Sequence, residues 1–97
     1  MARALVVANL RFKDRARYDR YAAAFPAVFA SSGGQMLAAD DAPQPLNGDG
    51  DGVDKIVVMR FDSEAAARGF LSSSEYLRIA EDRDAGADLN SWIVEAF

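Results

Sequence analysis

The sequence predicts a small α+β domain of ferredoxin-like βαββαβ topology, with a four-stranded antiparallel sheet and its helices on one face. Three observations predict this class. The chain has 97 residues, which suits one domain spanning residues 1–97. Strand-like and helix-like apolar patterns follow one another in the order β-α-β-β-α-β. Two of the strands are apolar on both faces, which indicates that a second copy of the sheet covers the face the helices leave bare.

The first half of the chain supplies a strand, a helix and a glycine stop. Residues Ala4–Leu10 are apolar and β-branched, which is typical of a strand. A helical pattern runs from Asp14 to about Ser31, and Pro26 within it predicts a kink or a restart. Gly33 and Gly34 end the helix, since glycine adopts the left-handed cap conformation without steric cost. At 100° per residue the inner stripe of this helix contains Tyr18, Tyr21, Ala22, Phe25, Val28 and Phe29.

A hairpin with a long connection follows. Gln35–Ala39 is a short second strand, and Lys55–Phe61 has the strongest strand pattern in the chain. Between them, Asp40–Asp54 is rich in Pro, Gly and Asp, which predicts a turn-rich loop.

The Asp/Gly loop also invites comparison with a calcium-binding loop. Asn47, Asp49, Asp51 and Gly52 match the first half of an EF-hand loop. The twelfth position is Val58 instead of glutamate, and flanking helices are missing. A solvated hairpin is the preferred interpretation, with a weak calcium site as the alternative.

The last part of the chain predicts two helical segments and a strand. Ser63 caps the first segment. Ser72 and Glu75 fit a capping box for the next segment, which ends at Gly86. Asn90–Phe97 is the final strand.

Two strands do not alternate apolar with polar residues, as a sheet with one wet face would. In the first strand both Leu5/Val7 and Val6/Ala8 are apolar. The third strand is apolar on both faces as well. A homodimer through the open sheet face is the simplest way to cover it. The alternative is a monomer whose loops lie over that face.

Composition excludes several kinds of chemistry. The chain has no cysteine and no histidine, so thiolate catalysis, a Ser-His-Asp triad and a His-ligated haem within this chain are ruled out. No glycine-rich phosphate loop is present. The net charge of −4 argues against nucleic acid as a partner. The N-terminal apolar run is too short to cross a membrane, and we expect a cytoplasmic protein with no cofactor and no metal.

Five polar or aromatic residues are candidates for a ligand pocket between the helices and the sheet. Arg83 shares the inner face of the last helical segment with Tyr76, and a cation there needs a partner. It either has a structural role near the helix end or binds a carboxylate or enolate. Tyr18 and Tyr21 either pack in the core or orient a ligand with their hydroxyls. Asn9 interrupts an apolar strand and faces either backbone or ligand.

The order of several short motifs resembles the domain-of-unknown-function family 1330 across the whole chain. The motifs are Asp14-x3-Tyr18-x2-Tyr21, Gly33-Gly34, the strand ending in Phe61, Ser63-x-x-Ala66, Ser74-Glu75-Tyr76, Arg83 and Val94-Glu95. The resemblance implies a dimeric α+β barrel, in which two ferredoxin-like sheets pack face to face. The wider superfamily includes cofactor-free monooxygenases, haem-degrading enzymes and isomerases, but the family has no assigned activity.

Three functional hypotheses follow. The first is a homodimer that binds a small, partly apolar, anionic molecule with Arg83 supplying the charge. The second is a cofactor-free monooxygenase or isomerase that acts on an enolisable substrate. The third is an interaction module without a ligand site.

Overall fold

Residues 3–97 are described by a computed structural model, and they form a four-stranded antiparallel sheet with three helices. The elements are β1 (Ala4–Phe12), α1 (Arg15–Phe29), β2 (Gln35–Asp40), β3 (Lys55–Phe61), α2 (Glu64–Leu71), α3 (Ser74–Gly86) and β4 (Ala87–Glu95). The strand order is β2-β3-β1-β4, and every neighbouring pair is antiparallel. The predicted ferredoxin-like α+β class is confirmed. Within residues 3–97 no helix has the length and hydropathy that crossing a bilayer requires.

The helix starts are set by side chains that accept hydrogen bonds from free backbone N–H groups. Asp14 caps α1, with its carboxylate accepting from the Arg17 amide at 3.3 Å. Ser63 caps α2 as predicted, its Oγ accepting from the Ala66 amide at 3.0 Å. Helix α1 continues through Pro26, so of the two predicted outcomes, a kink or a restart, the restart is wrong.

The predicted capping box at Ser72 is displaced by one residue. Ser73 is the N-cap of α3, and its Oγ accepts from the Tyr76 amide at 3.3 Å. The Ser72 hydroxyl instead donates to the Arg68 carbonyl at 2.8 Å, at the end of α2. The two helices are so close in sequence that Ser72 bonds to the end of α2 while its neighbour Ser73 caps the start of α3. The spacing of residues alone does not tell which of the two serines is the cap.

Strands β1 and β4, which pair at one side of the sheet, begin or end beyond the bounds that the sequence pattern indicates. Strand β4 begins at Ala87, directly after α3, whereas the apolar pattern placed its start at Asn90. Ala87 is buried and pairs with Phe12, which extends β1 past Leu10. Pairing with a neighbouring strand, and not local composition, therefore sets these bounds.

The long loop between β2 and β3 is fixed at its C-terminal end. The Asp54 carboxylate accepts from the Phe12 amide at 2.8 Å, and the Asp54 amide donates to the Leu10 carbonyl at 2.8 Å. Arg11 donates to the Gly52 carbonyl at 3.1 Å. These bonds tie the loop to the end of β1 where the candidate site lies.

The core occupies the sheet face that carries the helices. Strand β1 turns Val6, Ala8 and Leu10 toward the helices, and all three are buried. Phe61 of β3 is 1% exposed and packs near Phe70 of α2, with ring centroids 5.9 Å apart. Each aromatic side chain buried here contributes a large apolar area, so this layer supplies most of the driving force for folding.

The opposite sheet face is apolar and uncovered in the single chain. Its central row pairs Val7 with Val58 and Trp92. None of the strand residues on this face is buried, and Trp92 is 53% exposed. Trp92 is therefore not a core residue of the protomer.

Candidate functional site

A cavity of about 410 Å³ lies between the sheet and helices α1 and α3. This volume falls within the range of small-molecule sites, about 300–1,000 Å³. Much of its wall is apolar, with Val6, Ala8 and Met59 from the sheet and Phe25 from α1. Such a wall favours a ligand with an apolar body, because it offers that body a dry surface.

Arg83 extends from the last turn of α3 and lines this cavity. One of its terminal N–H groups donates to the Tyr76 hydroxyl at 2.6 Å. Its Nε and its other terminal nitrogen donate to the Asp84 carboxylate at 3.1 and 2.9 Å. These three bonds leave two of the five guanidinium N–H donors for another acceptor. The side chain is 18% exposed, so an anion in the cavity would meet a partly desolvated cation.

Tyr21 and Tyr76 form a hydroxyl pair next to that arginine. Their two oxygens lie 3.0 Å apart, and either hydroxyl can be the donor. Since Arg83 only donates, one of the two hydroxyl hydrogens remains for another acceptor in either arrangement. Burial, followed by the neighbouring Tyr76, raises the pKa of Tyr21 far above its usual value. Tyr21 is therefore a hydrogen-bond donor at neutral pH and not a base.

Lys55 is a second cation of the cavity, and the sequence analysis did not identify it. Its side chain is 13% exposed, its ammonium lies 5.0 Å from the centroid of the Tyr18 ring, and it pairs with Asp41 at 3.1 Å. Burial alone lowers the pKa of Lys55, but Asp41 and Tyr18 outweigh it and the pKa lies above its usual value. The sequence did carry a signal, because Lys55 is in phase with the inward residues Val57 and Met59 of β3.

Asn9 does not belong to this cavity. The inward side chains of β1 are those of Ala8 and Leu10, and successive strand residues point to opposite faces. Asn9 therefore lies on the open sheet face, where it pairs with Ile56 and Asn90. The structure brings four of the five predicted pocket residues together, namely Arg83, Tyr76, Tyr18 and Tyr21.

The polar groups of the cavity are mainly donors. Across residues 3–97, no Asp, Glu, Asn or Gln side chain lines it, whereas Arg83, Lys55, Ser91 and three tyrosines do. A ligand must then supply the acceptors, as a carboxylate or an enolate does. The same donors stabilise negative charge on oxygen, but the wall contains no carboxylate that can take up a proton at neutral pH.

The Asp/Gly loop does not assemble a metal site in the part of the chain that the structure describes. No three acidic side chains of residues 3–97 come together at one point. Asp49 instead accepts from the Asp51 amide at 3.1 Å, as in an Asx-type turn.

The arrangement can be compared with known proteins. The sequence model of a family described as a domain of unknown function, DUF1330, matches residues 3–97. The chain belongs to this family. Its membership confirms the resemblance seen in the sequence motifs. No curated protein matches the chain.

Solved structures similar to this DUF1330 protein share its fold at low sequence identity. A protein of unknown function from Rhodopseudomonas palustris is 17% identical, with a TM-score of 0.82 over 99% of this chain and 83% of that chain. SnoaB from Streptomyces nogalater, a cofactor-independent oxygenase, is 14% identical, with a TM-score of 0.73 over 100% and 95%. A dimeric ferredoxin-like protein of unknown function from Thermobifida fusca is 14% identical, with a TM-score of 0.70 over 98% and 92%. These likenesses establish the ferredoxin-like fold.

Proposed function

We propose that this DUF1330 protein is a single-domain homodimer that binds a small, partly apolar anion in the cavity between its helices and its sheet. The observation that carries the proposal is the placement of Arg83 beside the Tyr21–Tyr76 hydroxyl pair on the wall of an apolar cavity. Together these groups offer N–H and O–H donors to one incoming acceptor.

The chemistry of the wall supports an anion over a neutral or cationic ligand. Arg83 and Lys55 are both partly desolvated there, and each stays charged at neutral pH. An anion gains charge-assisted hydrogen bonds, about 1.5–3 kcal/mol each. A cation would face like charge in a medium of low dielectric constant.

The open sheet face supports the homodimer. It presents Val7, Val58 and Trp92 side by side, and none of them is buried within the protomer. Monomeric proteins rarely expose a contiguous apolar patch of this kind. A two-fold axis places the same patch of two copies in contact, so the patch is complementary to itself. The ferredoxin-like protein from Thermobifida fusca is described as dimeric.

The ligand proposal can be tested with a matched pair of fluorescent probes. The anionic probe is 8-anilinonaphthalene-1-sulfonate, and the neutral one is N-phenyl-1-naphthylamine, which lacks the sulfonate. We expect Arg83→Gln to weaken binding of the anionic probe by about tenfold or more, the loss of one charge-assisted bond. Binding of the neutral probe should change little.

Arg78→Gln is the control, because Arg78 lies on the same helix and is exposed. It should leave both probes unaffected. If Arg83→Gln leaves the anionic probe bound as tightly as before while circular dichroism shows an intact fold, anion binding at this site is wrong. A protein that binds neither probe would instead favour the interaction module.

The homodimer is tested by multi-angle light scattering. We expect the purified protein to have twice the protomer mass of 10.5 kDa, and Val7→Lys to reduce it to the protomer mass. A lysine at the centre of a dry interface leaves an unpaired buried charge in each copy. Leu46→Lys is the control, since Leu46 is 93% exposed in the long loop. A wild-type protein at the protomer mass would contradict the dimer.

A cofactor-free oxygenase or isomerase is the second candidate. Arg83 and the Tyr76 hydroxyl, which lie 2.6 Å apart, form a pair of donors suited to an enolate oxygen. Because no carboxylate of residues 3–97 lines the wall and the chain has no histidine, the substrate must be acidic enough to ionise with little assistance. Oxygen uptake with quinols and absorbance changes with enol lactones test this candidate. An enzyme activity that Arg83→Gln lowers would support this candidate. If the substrates remain unchanged while the probes still bind, only the binding function remains.

A further inference from the structure

One wall of the cavity is a row of three tyrosine rings with a cation at each end. Tyr18 and Tyr21 have ring centroids 5.5 Å apart, and Tyr21 and Tyr76 have centroids 6.2 Å apart. The Lys55 ammonium lies 5.0 Å from the Tyr18 ring, and the Arg83 guanidinium lies 5.6 Å from the Tyr76 ring. Tyr18 and Tyr76 are buried at 2% and 4% exposure, so the row connects the two cationic groups through packed rings, and Tyr21 at its centre is the partly exposed member.

Each cation is held by a carboxylate that does not line the cavity. Lys55 pairs with Asp41, whose side chain is 46% exposed, and Arg83 pairs with Asp84, whose side chain is 66% exposed. Neither pair uses all the donors of its cation, since the ammonium has three N–H groups and the guanidinium five. Both cations thus retain donors for an acceptor inside the cavity.

The exposed carboxylates of Asp41 and Asp84 neutralise the two cations from outside the cavity, and an anion inside it would add charge-assisted hydrogen bonds to the donors that each cation retains. A ligand with a single anionic group would serve one of them and leave the other against an apolar body. A flat, conjugated body can pack against the partly exposed Tyr21 ring, because aromatic rings prefer stacked or edge-to-face contacts with other π-systems.

We propose that Lys55 is a second anion anchor of the cavity and that the ligand is a flat conjugated compound with an anionic group at each end. This inference rests on the proposed anion-binding function and specifies the class of ligand. Arg83 holds one anionic group beside the hydroxyl pair, Lys55 holds the other, and the Tyr21 ring at the centre of the row lies against the body between them.

Isothermal titration calorimetry with naphthalene carboxylates tests the second anchor. The probes are 2-naphthoate, which carries one carboxylate, and 2,6-naphthalenedicarboxylate, which carries two. A shorter dicarboxylate, terephthalate, covers a smaller separation of the two anchors. We expect the better of the two dicarboxylates to bind about tenfold more tightly than 2-naphthoate, one further charge-assisted bond.

The Lys55 variants separate charge from packing. Lys55→Gln should weaken the dicarboxylate more than 2-naphthoate and so remove the preference, whereas Lys55→Arg should keep the preference because it keeps the cation. Arg83→Gln should weaken both ligands, and the exposed Arg78→Gln should weaken neither.

The possible failures are distinguishable. If neither dicarboxylate binds better than 2-naphthoate, or if Lys55→Gln keeps the preference, the second anchor is wrong. The anion-binding function would still stand where Arg83→Gln weakens 2-naphthoate. If Arg83→Gln changes neither ligand, the proposed function fails and the second anchor fails with it.

Discussion

Replacing Gly86 with alanine tests how closely α3 approaches α1. A Cβ atom at Gly86 would lie 2.4 Å from the Tyr18 backbone nitrogen and 2.8 Å from its Cα and Cβ atoms. The Gly86 carbonyl also accepts from the Lys13 and Asp14 amides, at 2.9 and 3.0 Å. The end of α3 is thus fixed against the start of α1, beside the tyrosine that lines the cavity.

The magnitude follows from which atoms the new methyl group meets. Adding a methyl group to a filled space costs about 1–3 kcal/mol. The upper part of that range applies to Gly86→Ala, because backbone atoms of Tyr18 cannot rotate away as a side chain would. Alanine returns up to about 1 kcal/mol through its higher helix propensity. We therefore expect Gly86→Ala to lower the free energy of unfolding by about 2 kcal/mol.

Gly69→Ala is the matched control within the same chain. Gly69 lies inside α2, and a Cβ atom there would meet nothing within 4 Å. The substitution should raise the free energy of unfolding by about 0.5–1 kcal/mol, the helix propensity gain alone. The same change of residue thus has opposite expected signs at the two positions.

Urea denaturation at a fixed protein concentration measures both effects, since a dimer is stabilised by its own concentration. With a slope of about 1–3 kcal/mol per M, Gly86→Ala should lower the midpoint by about 1 M. The midpoint of Gly69→Ala should rise. If Gly86→Ala proves as stable as the wild-type protein, the close approach of the two helices is wrong.

Three further substitutions test the site and its supports by urea denaturation. Tyr76→Phe removes the acceptor of Arg83 and should cost about 1 kcal/mol, whereas an unchanged midpoint would contradict that bond. Ser63→Ala should cost about 1 kcal/mol through the lost cap of α2, and a loss near zero would contradict the cap. Lys55 holds the pKa of Asp41 below its usual 3.8, so the ionised carboxylate stabilises the fold above that value and the contribution is lost as the pH falls through the lowered pKa. Asp41→Asn should therefore lower the midpoint more at pH 7 than in acid, and an equal loss at every pH would contradict the ion pair.

Local patterns in the sequence predicted most elements, and packing decided their ends. The β3 strand from Lys55 to Phe61 and the Ser63 cap were predicted as the structure has them. The predicted start of β4 was wrong. Residues Ala87 to Leu89 join the sheet by pairing with β1, although their composition is not typical of a strand. A local pattern carries no information on the length of a distant partner.

The candidate site shows the same division. Helical periodicity placed Tyr18 and Tyr21 on the inner stripe of the first helix. It also placed Arg83 on the same helical face as Tyr76. All four residues line the cavity. Asn9 was misplaced because apolar residues on both sides of it hide which face of the strand is inward. That ambiguity disappears once the helices are seen to cover Ala8 and Leu10.

The sequence by itself determined the ferredoxin-like fold and the family, since the order of strand and helix periods and the spacing of short motifs are local properties of the chain. Only the tertiary structure decided that Lys55 and Arg83 share one cavity and that Tyr21 and Tyr76 share a hydrogen bond. The physical reason is distance along the chain. The cations lie 28 residues apart in sequence, taking 55 from 83, and no periodic pattern connects one strand with a helix that packs above it.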